Sequence, residues 1–139
     1  MQHTKTAPRI GEVYLVRFDG SGTEQQGIRP GLVVQNNVGN LHSPNIVVLP
    51  LTSSIKKAHQ PTHVFLPAHE TGLARDSIVL CENPKCICKE KLGAYLTTLP
   101  DAYMQSVAAA YLLSTSIISF LPYDRLCSLW ERASAMNAA

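Results

Sequence analysis

Apolar positions fall into short runs along the first two thirds of the chain. "EVYLVRF" (residues 12–18) sets Val13, Leu15 with its neighbours and Phe18 in a β-branched and aromatic run, which predicts a strand. "DGSGTEQQG" follows with three glycines in nine residues and reads as a long loop, a kind of segment that often carries function. A second strand is expected over residues 31–35, a third over 46–52, a fourth in "THVFLP" and a fifth over 76–82. Pro50 marks a bulge or an edge position near the end of the third. Between them, "NNVGNLHSPN" is turn chemistry and "SSIKKAHQP" is a basic loop with no acid. Five short strands separated by turns predict a small, mostly antiparallel barrel.

After Pro100 the period changes. Met104, Val107, Ala108, Tyr111, Leu112 and Ile118 keep broadly to one helical face, so a helix is expected over residues 101–119, packed on the barrel. "YDRLCSLWERASAMN" repeats the helical spacing with Leu126, Leu129, Trp130 and Ala133, predicting a second, shorter helix that covers apolar surface on the barrel or on a dimer mate. Residues 1–9 form a polar lead-in, and residues 122–139 a C-terminal helical extension of a single domain.

Composition narrows the picture. A chain of 139 residues, 45% apolar and 16% charged, is expected to fold as one globular domain. A net charge of +2 is too small for bulk nucleic-acid binding, so an anionic partner has to meet a local basic patch. No run approaches the roughly 20 apolar residues of a membrane span, and no signal peptide precedes the first strand. The four cysteines then read as free thiols in a cytoplasmic protein.

Candidate chemistry gathers around "EQQGIRPGLVVQN". Arg29 stands between Gly27-Ile28 and Pro30-Gly31, Glu24 precedes it in the loop, and Thr52 and Ser53 end the third strand. If strand ends converge on one rim, a guanidinium, hydroxyls and a carboxylate suit a phosphodiester, by binding its charge and moving a proton. The plainer alternatives are a loop salt bridge for Arg29 and a turn cap for Thr52-Ser53. Cys81, Cys86 and Cys88 in "CENPKCICK" lack the paired spacing of structural zinc, and Cys81 ends an apolar strand and is expected to be buried. His59 and His63 are four apart, but Pro61 between them forbids a regular helix presenting both.

The blocks "GEVYLVRFD", "EQQGIRPGLVVQNNVGN", "PLTSSIKKAHQPTHV" and "RDSIVLCENPK", in this order over residues 8–121, resemble the MazF/PemK (Kid) toxins. The resemblance implies an SH3-like barrel with a C-terminal helix, a homodimer, and a metal-independent endoribonuclease needing no cofactor. It also implies cleavage of single-stranded RNA and inhibition by a partner antitoxin. That family's catalytic arginine falls on Arg29 and its threonine on Thr52. Glu24 falls on a loop acid common in the family and Glu82 on an acidic position implicated in catalysis in some members, so that one or the other is the candidate to assist. Gln25, Ser53, Lys56, Lys57, Asn83 and Lys85 are then the candidates for contacting RNA. Where many relatives follow the acid with a Gln-Pro-Arg-Thr-like run, this chain has Asn83-Pro84-Lys85-Cys86. Lysine cannot reproduce a bidentate fork there, which bears on cleavage specificity. The alternatives are a CcdB-like toxin that binds DNA gyrase without chemistry, and a degenerate member that binds antitoxin but cuts weakly.

Overall fold

The structure, a computed structural model, describes residues 6–22, 25–56 and 59–138. Seven strands form one antiparallel sheet: β1 (Glu12–Asp19), β2 (Gln26–Val33), β3 (Asn45–Thr52), β4 (His63–Leu66), β5 (Ser77–Leu80), β6 (Lys85–Cys88) and β7 (Leu92–Thr98). Their order is β4-β5-β3-β2-β1-β7, with β6 also paired to β3. Residues 45–48 of β3 meet β6, and Leu51 and Thr52 meet β5, so β3 is shared between two ladders.

Both faces of the central strands are buried, which explains runs such as "IVVLPL" in place of strict alternation. Val13, Leu32, Leu49 and Leu51 join one core with Val64, Leu66 and Val79. Val16, Phe18, Val33, Ile46 and Val48 point the other way and join Ile87 in a second core. The first core is closed by helix α3 (Asp101–Leu113) through Val107 and Ala110, with Tyr103, Met104 and Tyr111 packed at its margin.

Several expectations are corrected. The second strand is not residues 31–35 but Gln26–Val33, because the β1–β2 hairpin pairs as far as Asp19 with Gln26, leaving only a short connection. The Asn- and Gly-rich turn contains helix α1 (Asn37–His42), started by the Asn36 side chain, which accepts the Gly39 N–H at 2.9 Å. A short helix α2 (Ala68–Thr71) and strands β6 and β7 were not foreseen. Pro50 lies in an interior strand and is buried. The long helix stops at Leu113 because hydroxyls compete for its backbone: Ser114 Oγ donates to the Tyr111 carbonyl at 2.7 Å, and Ser119 Oγ to that of Ser116 at 2.6 Å. Ala108, Leu112 and Ile118 accordingly lie off the buried face.

Two 3₁₀ turns, Ile117–Phe120 and Tyr123–Arg125, lead into helix α4 (Leu126–Asn137). It folds back on α1, where Asn37 Nδ2 and Arg9 Nη2 each donate to the Asn137 carbonyl at 3.0 Å. Ala133 and Asn137 line an open cleft together with Ile10, Val34 and Tyr111, and Trp130 is 72% exposed.

Candidate active site

Arg29 is mounted on β2 by the hairpin: Val16 faces Arg29, Leu15 faces Pro30 and Tyr14 faces Gly31. On the other side, β2 and β3 pair from Val33–Val48 to Gly31–Pro50 and no further. Pro30 and Pro50 lack the N–H needed to continue such a ladder, so the strands part there. Two more steps of the same register set Arg29 across from Thr52, at the mouth of the gap. Gly31 makes the mount possible, since a Cβ there would lie 2.8 Å from Val16 Cγ2. The Arg29 Nε donates to the Gln26 carbonyl at 2.8 Å, which steadies the guanidinium and leaves its outer fork free of any carboxylate among the described residues. Thr52 Oγ1 accepts the Ser54 N–H at 3.2 Å, so its hydroxyl proton remains available for a ligand oxygen.

A cleft of about 690 Å³ opens at this gap. Its polar lining is Arg29, Thr52, Ser53, Arg75 and Ser77, and Leu15, Leu51, Leu73 and Leu96 form apolar walls. Two guanidiniums and three hydroxyls, with no carboxylate among the described lining residues, make an anion site. Arg75 and Ser77 escaped the sequence reading, because "RDS" looks like the polar start of a strand with its own charge balanced. The fold shows otherwise: the Asp76 carboxylate accepts the Ala68 N–H at 2.8 Å, and no ion pair joins it to Arg75.

The other candidates lie elsewhere. Glu82 follows the far end of β5 from Thr52, which pairs with Ile78, and its Oε1 lies 2.7 Å from Nε2 of His63. That imidazole is 4% exposed, so the pair closes the edge of β4 against the β5–β6 turn. Asn83 is in that turn, held by its N–H to the Leu80 carbonyl, and Lys85 begins β6, so neither lines the cleft. Ser53 does, and Lys56 is exposed on the following loop. The Gln25 Oε1 is buried with no hydrogen-bond partner among the described residues. Glu24 and Lys57 lie outside the described residues.

Of the cysteines, Cys81 is buried and Cys86, Cys88 and Cys127 are exposed. Burial, with Glu82 adding to it, pushes the Cys81 thiol up to about 12. Among the described residues no three of His, Cys, Asp and Glu gather closely enough to hold a metal ion, and no helix is long and apolar enough to cross a membrane.

Residues 9–114 match the family of PemK-like, MazF-like toxins of type II toxin–antitoxin systems. This chain belongs to that family. It is 40% identical over 111 residues to the Endoribonuclease EndoA of Bacillus subtilis (strain 168), covering 79% of this chain and 96% of the relative. Among solved structures, an endoribonuclease in complex with its cognate antitoxin from Mycobacterial species is 28% identical with a TM-score of 0.64, over 84% of this chain and 99% of that one. MazF from Deinococcus radiodurans superposes with a TM-score of 0.70 at 24% identity, over 84% and 100% of the two chains, a likeness of fold. The family match ends just past α3, so α4 lies outside it.

Proposed function

We propose that this toxin is an endoribonuclease that cuts single-stranded RNA in the Arg29–Thr52 cleft and so arrests translation. The observation that carries the reading is chemical: a guanidinium fork with no carboxylate partner among the described residues shares one cleft with an available hydroxyl proton, and the described lining residues include no carboxylate. RNA brings its own nucleophile, the 2′-hydroxyl. Its attack on the adjacent phosphorus places extra charge on the non-bridging oxygens, which Arg29 binds bidentately while Thr52 donates one hydrogen bond. As the P–O5′ bond breaks, the leaving 5′-oxygen takes a proton from solvent water, leaving a 2′,3′-cyclic phosphate and a neutral 5′-hydroxyl. A guanidinium is a poor base, so the proton of the 2′-hydroxyl passes to a carboxylate, for which Glu24 in the adjoining loop is the candidate. Glu82, tied to His63, is assigned with Asn83, Lys85 and Lys56 to contacts with the flanking strand outside the cleft.

The same reading takes the sheet as an SH3-like barrel, supported by β3 being shared between β5 and β6. It takes the whole chain as one cytoplasmic domain with residues 122–139 as an extension, and a cognate antitoxin as the inhibitor. A homodimer is supported by the apolar surface left open at Leu113, Ile117, Phe120 and Tyr123, each at least 66% exposed.

The test is incubation of the purified chain with a long single-stranded RNA in EDTA, with both new ends mapped. Cuts with cyclic phosphate and 5′-hydroxyl ends are expected, and Arg29→Ala should slow them by about 10²–10³, the usual loss of one charge-stabilising donor. No cleavage across varied sequences overturns the enzyme reading. Cleavage that survives Arg29→Ala overturns the site.

A further inference from the structure

The cleft holds a second guanidinium for which the cleavage step has no use. Arg75 follows Gly72, Leu73 and Ala74 in the segment joining α2 to β5, and all four line the cleft that Arg29 and Thr52 share. The backbone of this segment is fixed at several points. Gly72 ends α2 in the left-handed region at φ 79°, with its N–H on the Ala68 carbonyl. Thr97 Oγ1 donates to the Thr71 carbonyl at 2.7 Å, which ties the segment to β7. The Ala68 N–H donates to Asp76, and Ser77 Oγ donates to the carbonyl of Arg75 itself at 3.0 Å. The neighbouring carboxylate accepts a backbone amide, and no ion pair joins the Arg75 side chain to an acid among the described residues. A cation on a pinned loop, facing a cleft with no carboxylate among its described lining residues, suits a fixed anion there.

We infer that Arg75 forms a second phosphate subsite, holding a phosphodiester of the same RNA strand next to the one that reacts at Arg29 and Thr52. The inference rests on the ribonuclease reading and deepens it, because the substrate must then present at least two backbone phosphates to the cleft. A volume of about 690 Å³ exceeds the need of a single phosphate. The apolar walls of Leu15, Leu73 and Leu96 leave room for the sugar and base that join the two. Arg75 is a positioning residue, since it touches substrate away from the bond that breaks.

Binding and cleavage are measured separately. A fluorescent 2′-O-methyl oligoribonucleotide of mixed sequence, which lacks the nucleophile, is titrated by anisotropy at several salt concentrations in EDTA. The native chain, Arg75→Ala and Arg75→Lys are compared. Arg75→Ala is expected to weaken binding about tenfold and to lower the salt slope by about 0.7, the share of one phosphate on a single strand. Arg75→Lys should restore the slope but only part of the affinity, since it keeps the charge and loses the fork. On a cleavable RNA, Arg75→Ala should raise KM and leave kcat within a few-fold. Arg75 is exposed, so matching thermal melts are expected and separate contact from fold.

Unchanged affinity and slope in Arg75→Ala overturn the subsite. So does a fall in kcat at constant KM, which assigns Arg75 to the reacting phosphate. A variant that binds RNA normally but loses an acidic peptide from an antitoxin overturns it too, by assigning the residue to a protein partner. If the native chain binds the oligonucleotide with the Arg75-dependent slope but cuts no RNA, the ribonuclease reading fails and the subsite stands.

Discussion

At Gly31 one hydrogen atom decides the geometry of the cleft. Val16 Cγ2 occupies the space a Cβ would take, at 2.8 Å, and both are core backbone or core side chain with little room to yield. Gly31→Ala should therefore destabilise the chain by about 1–3 kcal/mol, an ordinary overpacking cost. It should also lower cleavage beyond that, because the displaced β2 carries Arg29 two residues away. Denaturant melts read the first effect, and rates measured well below the melting temperature read the second. Two further side chains set the response to pH. Burial raises Cys81 from 9.0 to about 12, and burial with the Glu12 carboxylate raises Tyr14 from 10.0 to about 12. Both hold their protons more tightly folded than unfolded, so their contribution to stability is complete below about pH 9 and is lost as pH climbs towards 12. Stability should be level around neutrality and fall over that alkaline window, less steeply in Cys81→Ala. A thiol reagent at pH 7.5 should modify Cys86, Cys88 and Cys127 quickly and reach Cys81 only on unfolding.

Among the elements, the α2–β5 connection is the one the cleft depends on most. Asp76 closes it by accepting the Ala68 N–H at the start of a helix of four residues. Asp76→Ala removes that bond and should cost about 1 kcal/mol, as loss of a helix cap does. It should also loosen Arg75, raising KM for RNA with little change in kcat, which steady-state kinetics on a mapped site would show. What could be read of the elements beforehand follows from how they are stabilised. β1, β3, β4 and β5 bury dense apolar runs, and those runs are legible without any structure. β7 is a strand because it pairs with β1, and four of its seven residues in a row are exposed, so "LGAYLTT" has no pattern to betray it. β6 is four residues long with one buried side chain, Ile87, among lysine and cysteines. α1 is held by the Asn36 cap and by Asn37, whose Oδ1 accepts from Ile10 N–H and Asn40 Nδ2, so its polar residues imitate a turn. Arg29 and Thr52 were legible from the family's blocks. Arg75 was not, since only the fold shows that it lines the cleft and that its neighbour Asp76 is bonded to the Ala68 amide.

Taken as a whole, the molecule joins a sheet whose cores are complete without the C-terminal extension to a helix that returns over α1. No core member lies beyond Ala110, and α4 has no buried residue. What α4 contributes is mostly polar: the Asn137 carbonyl takes the Asn37 amide and the Arg9 guanidinium, and Asn37 is itself buried. Its hydrogen-bond partners, Arg9 and Asn37, and the residues that share a cleft with it, Ile10, Val34 and Tyr111, are absent from the described lining of the Arg29 cleft. A chain ending at Leu121 should therefore fold, with the same far-ultraviolet signature for the sheet and α3. It should be less stable by about 1–2 kcal/mol, because Asn37 loses a buried partner. For a domain of this size that lowers the melting temperature by roughly 3–8 °C. Asn137→Ala in the full chain keeps the main-chain carbonyl and should reproduce only a small part of the loss. Cleavage per folded molecule, assayed at 20 °C, should match the full chain, since nothing in the cleft leans on α4. A truncated chain that is folded yet inactive would mean that the extension reaches the RNA, and that Trp130, exposed on α4, has a place in its path.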